Sequence, residues 1–143
     1  MKSQLSLLGL SLALLSTGLA ADSPAQPPET KPVTITQLFK RENPEAKDKD
    51  IIVQRIELAP ASSAAPHVHP GMVTGYVVSG TLEFQVAGEP LLTLHAGDTF
   101  FEPPGSKHMV ARNPDKSEKT VLIAFVVNPK NKATAQPLDD HAH

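Results

Sequence analysis

The chain has 143 residues, with 13 basic and 15 acidic side chains, 40% apolar content and no cysteine. A formal charge of −2 gives a nucleic acid or an anionic membrane surface nothing to recognise. Disulfides, thiolate ligands and cysteine nucleophiles are excluded, so packing alone must hold the fold.

Residues 1–20 have the pattern of a signal peptide. Lys2 supplies the basic start, "LSLLGLSLALL" is an apolar core too short for a stable membrane span, and Gly18 and Ala20 offer small residues before a cut at Ala21. The expected product is periplasmic or secreted and carries no membrane anchor after cleavage. Residues 21–32, "ADSPAQPPETKP", form a Pro-rich tether, and residues 131–143 a polar, frayed tail. Between them, 33–130 is long enough for one domain with one core.

Within 33–130, short runs rich in β-branched and aromatic residues follow one another: "VTITQLF", "IIVQRIEL", "GYVVSG", "TLEFQV", "LLTLH", "DTFFE", "HMVAR" and "TVLIAFVV". Ser79-Gly80, Ala87-Gly88-Glu89-Pro90, Ala96-Gly97-Asp98 and Pro103-Pro104-Gly105 punctuate them. Only "ITQLFKRENPEAK" hints at a helix, and Pro44 limits it. "TLEFQV" alternates apolar and polar residues, as a strand with one inner face does. "TVLIAFVV" is apolar nearly throughout, as expected of a strand covered on both faces. The pattern predicts an all-β fold, an antiparallel barrel of the jelly-roll type. Phe84, Phe100, Phe101 and Phe125 are expected in its core, with Tyr76 packing on the sheet face opposite Val73.

The chemistry concentrates in "PHVHPGMVTGYVVSG", residues 66–80. His67 and His69 are two apart, so on a strand they share a face and can hold one ion. His108, which follows the turn "PPGSK", is the candidate third ligand. Three neutral imidazoles suit a divalent first-row ion and leave positions open for other molecules. Taken alone, the two spaced histidines are equally well read as solvated strand-end residues. Glu102 is the one candidate catalytic group. If it faces inward with Phe100 it can reach the ion or act as acid or base on a bound water; otherwise it caps the Pro-Pro-Gly turn in solvent. Met72 is a candidate pocket residue, and Arg112 a candidate contact for an anion at the pocket mouth. His95 reads as a surface turn residue, and His141 and His143 as tail residues.

These motifs resemble those of the cupin superfamily, specifically a small single-domain cupin of the type-2 kind. "APHVHPGMVTGYVVSG" supplies His67, His69 and Gly80 at the spacing of the first cupin motif, and "GDTFFEPPGSKHMVARN" supplies Gly97, Pro103, Gly105 and His108 at that of the second. Ala61 stands where the first motif begins with glycine, Asn113 lies one residue past the second motif's asparagine, and Val73 takes the place of the usual metal-binding glutamate. The resemblance implies a cupin barrel over 33–130, a bound Fe, Mn, Ni, Cu or Zn, a small organic partner and a homodimer. A dioxygenase-type enzyme and a non-catalytic module for a metal or small ligand both remain open on these residues.

Overall fold

A computed structural model describes residues 32–138. The proposed leader, all but the last residue of the tether, and His141 and His143 lie outside the described residues. Among the described residues there are eleven strands and no helix. They are β1 (Val33–Glu42), β2 (Lys49–Leu58), β3 (Ser63–Ala64), β4 (His67–Val68), β5 (Met72–Ser79), β6 (Thr81–Val86), β7 (Leu92–His95), β8 (Thr99–Glu102), β9 (Lys107–Arg112), β10 (Thr120–Pro129) and β11 (Gln136–Pro137). Among the described residues no helix is long and apolar enough to cross a membrane.

Two antiparallel sheets face each other. One runs β1-β2-β10-β5-β8; the other runs β11-β4-β9-β6-β7, with β3 also on β9. Between them lies a core that includes Ile52, Leu58, Val77, Leu82, Phe84 and Phe100. The sheet strand β6 alternates as its sequence does, with Leu82, Phe84 and Val86 buried.

Four expectations need correction. The helical hint at the start is a strand. The register of β1 on β2 slips between Gln37 and Phe39, leaving Leu38 as an extra residue. That bulge interrupts the period-2 pattern and spaces Ile35, Leu38 and Phe39 as a helix would. Phe84 and Phe100 are in the core, but Phe101 (54% exposed) and Phe125 (47% exposed) are not. Inward Phe100 and Glu102 force Phe101 outward, and on β10 the alternation of buried Ala124 and Val126 with exposed Phe125 leaves one face uncovered along its middle. Tyr76 also lies on that outer face, and is exposed. Residues 131–138, expected to fray, instead form a strap: Gln136 pairs with Val68 and Pro137 with His67.

Two backbone features shape the interior. Gly75 pairs with Phe100, and a Cβ there would fall inside the Phe100 ring, so glycine lets that ring lie across the sheet. Ala61 has φ +54°, the left-handed region in which a leading glycine would carry no Cβ penalty. Asn113 is fully buried and ties the β9–β10 connection to β2. Its Nδ2 donates to the carbonyls of Leu58, Ala59 and Glu118, at 3.3, 3.0 and 2.8 Å.

Candidate metal centre

His67 begins β4, and its partner across the ladder is His108 on β9. His69 lies two residues beyond His67, so all three imidazoles enter the space between the sheets. One ring nitrogen from each lies within 4.8 Å of the others. The ring centroids of His67 are 4.7 Å from His69 and 4.9 Å from His108. Phe84 packs against the other side of His108, 4.7 Å between centroids.

The hydrogen bonds determine which nitrogen each ring presents. His67 Nδ1 lies 2.8 Å from the Ala65 carbonyl oxygen, and His69 Nδ1 lies 2.6 Å from that of Thr134. A carbonyl only accepts, so both Nδ1 atoms carry hydrogen and both Nε2 atoms are bare in the neutral rings. Those two Nε2 atoms are 3.0 Å apart. Two lone pairs at that separation repel unless a cation or a shared proton lies between them. Burial holds the His67 pKa below the ordinary histidine value, more than the Ala65 carbonyl raises it, with His69 and His108 lowering it further. A ring that resists protonation favours a metal over a proton.

Glu102 faces this cluster and does not cap the Pro-Pro-Gly turn in solvent. It is 1% exposed, and its Oε2 lies 3.2 Å from His108 Nδ1 and 3.6 Å from His69 Nε2. Neither contact has hydrogen-bond geometry: Glu102 Oε2 and both ring nitrogens of His108 are buried without a partner. Its strand position explains why it is there. Glu102 on β8 is the direct ladder partner of Val73 on β5. A carboxylate missing from one strand is thus present at the same level on the adjacent strand.

The donor set fits a divalent transition ion. Four ligand atoms about 2.1 Å from a common ion in tetrahedral array would be roughly 3.4 Å apart; three of the six separations, 3.0, 3.2 and 3.6 Å, lie around that value, and the three imidazole nitrogens lie within 4.8 Å of one another. Glu102 Oε2 and both His108 nitrogens lack a partner, and the facing Nε2 lone pairs of His67 and His69 have no donor between them, which is what such an ion satisfies.

The remaining candidates lie elsewhere. Arg112 is not at the pocket mouth; it forms an ion pair with Glu83. Met72 does not line the cavity, because Val73 beside it takes the inner face. His95 is exposed, as expected. Two groups escape sequence reasoning, the main-chain carbonyls of Ala65 and Thr134. A carbonyl has no residue signature, and Thr134 lies in a segment whose composition reads as tail.

The cupin domain family matches residues 54–126. Germin-like protein 3-4 of Oryza sativa subsp. japonica is 29% identical over 99 residues, which cover 64% of this chain and 43% of that protein. The chain therefore spans less than half the length of that relative. The DMSP lyase of Ruegeria pomeroyi superposes with a TM-score of 0.63 at 20% identity, covering 78% of this chain and 54% of the other. An RmlC-like cupin of Shewanella frigidimarina gives 0.55 at 23% identity, over 70% and 79% of the two chains.

Proposed function

This chain belongs to the cupin family, and on that premise we propose an exported single-domain cupin that works on a small organic molecule at one bound divalent transition metal ion. His67, His69 and His108 hold the ion and Glu102 is the fourth protein ligand. The reaction is of the dioxygenase type or a related small-molecule conversion. The observation that carries this reading is the 3.0 Å approach of two Nε2 lone pairs whose tautomers are set by main-chain carbonyls. The DMSP lyase fold supports small-molecule chemistry on this scaffold without indicating this chain's substrate.

When bound, Fe, Mn, Ni, Cu or Zn supplies Lewis acidity and coordination positions beyond the protein ligands. The chain's own residues do the rest. Ala65 and Thr134 hold two imidazoles in the ligating tautomer. Glu102 offsets one unit of the ion's charge, and in turn is made tolerable in the interior by it. Val73, Phe100 and Val126 wall the site with apolar surface, which limits water and strengthens the electrostatics inside.

Metal analysis of the full chain tests the centre. Wild type is expected to hold one ion per chain; His108→Gln should lose it, and Glu102→Gln should bind at least about tenfold more weakly. Equal metal content in wild type and His108→Gln would overturn the three-histidine centre. Metal-loaded protein that converts no member of a panel of phenols and 1,3-dicarbonyl compounds under oxygen contradicts the enzymatic half and leaves a binding module. Export is read from the N-terminus of the protein recovered outside the cytoplasm, which should begin at Ala21.

A further inference from the structure

The cavity that contains the histidines is much larger than a metal site. Its volume is about 400 Å³, and it extends along the inner face of the five-stranded sheet. The ladder registers order its walls. Val126, Val73 and Glu102 lie side by side at the histidine end. Next comes Gln54 beside Ala124, then Ile35, Ile56 and Leu122, and last Val33 beside Leu58. Each row is two residues further along the strands, about 6.8 Å, so three steps make a slot roughly 20 Å long. Small residues keep it open from the opposite sheet, where Ala64 pairs with Ala111. Ile35 lines the slot and is yet 57% exposed, which opens it at the β1 end, and Ala65 and Ala135, also exposed, line it at the histidine end.

The charge distribution is one-sided. Among the described residues no lysine or arginine lines the cavity, and its one carboxylate is Glu102. The nearby cations are used elsewhere, Lys40 on Asp50, Arg55 on Glu57 and Arg112 on Glu83. An anionic group on the body of a substrate would lose its hydration along this slot and meet no counter-charge. An apolar chain would lose only water contacts that favour its burial.

We propose that the slot takes an uncharged, elongated and largely apolar molecule, oriented with a single oxygen-bearing head at the histidines and an alkyl or aryl body running toward Val33 and Leu58. The head's contact with an ion rests on the metal-centre reading; the slot's preference for the body does not.

Straight-chain hydroxamic acids from acetyl to octanoyl, neutral metal-directed heads on a growing chain, test this by calorimetric titration of zinc-loaded full-length protein. Affinity should rise about fourfold per methylene until the slot is full. Succinic monohydroxamic acid, with a carboxylate at its far end, should bind no better than the acetyl compound. Ala111→Leu, with metal content and thermal stability checked to equal wild type, should flatten the rise and leave acetohydroxamate binding unchanged. A flat series in wild type, or equal gain from the carboxylate-ended probe, overturns the proposal. A parallel arm titrates the metal-free protein with n-alkanols from propanol to octanol. If zinc does not bind but the alkanols tighten with length, the slot stands and the metal reading falls. If zinc binds and neither series tightens, the slot reading alone falls.

Discussion

Two imidazoles that each give the Nδ1 proton to a carbonyl face one another with lone pairs, and the centre follows from that constraint. Glu102 adds the carboxylate from β8, directly across the ladder from Val73. Exchanging the two should therefore be tolerated. Val73→Glu alone puts two carboxylates side by side in a buried site, and should lower the stability of the metal-free protein by about 3 kcal/mol in denaturant titration. Val73→Glu combined with Glu102→Val should recover most of that loss and still bind metal, with a similar dissociation constant. If the double variant loses metal altogether, the relocated carboxylate is wrong. Ala61 offers an independent check on the backbone: Ala61→Gly should raise stability by about 0.5–1 kcal/mol, because the Cβ penalty at φ +54° outweighs the added chain freedom. Much of the site was legible at this scale. The spacing of His67 and His69, and the turn before His108, point to three ligands without any structure. The side to which Glu102 turns was not, because parity relates it to Phe100 but not to the histidines. That relation depends on which strands become neighbours.

Among the elements, the strap at 131–138 does more than its composition suggests. The Thr134 carbonyl accepts the His69 Nδ1 hydrogen, and Gln54 Nε2 donates to the Thr134 hydroxyl at 3.4 Å. Ending the chain at Lys132 should weaken metal binding about 10–100-fold while the barrel still folds, read by metal competition alongside circular dichroism. Unchanged affinity would reduce the strap to a cover. The β9–β10 connection predicts a pH effect of definite sign. Backbone N–H groups of Glu118 and Ser117, and the Ser117 hydroxyl, hold the Asp115 pKa below its ordinary value. Stability from Asp115 is therefore fully present above the unfolded-state pKa, about 3.9, and is lost as pH falls through the lower folded value. Asp115→Asn should flatten the acid limb of the stability curve and leave neutral-pH metal binding alone. The sequence marked eight of the strands to within a few residues, because alternation and turn residues agree. It missed β3 and β11, two-residue pairings set by what lies beside them and not by their own residues, and reached β4 only through the spacing of His67 and His69.

For the molecule as a whole, the slot removes side-chain contacts from the middle of the only core found in the described residues. The proposed ion, binding the folded state alone, would compensate. At a free concentration 100 times its dissociation constant it adds about 2.7 kcal/mol, so zinc should raise the melting temperature by roughly 10 °C and a chelator should reverse the rise. The same ion should leave the melting temperature of His108→Gln unmoved. The all-β architecture was legible from the sequence; the empty-sided charge of the slot was not. It depends on Lys40, Arg55 and Arg112 each finding an acid on its own sheet. X-ray absorption at the cobalt edge of the cobalt-loaded full-length protein tests the central claim most directly. Three imidazole nitrogens and at least one oxygen at about 2.0–2.2 Å are predicted, with the imidazole scattering reduced in His108→Gln. A spectrum of oxygen ligands alone, the same in wild type and variant, would contradict it.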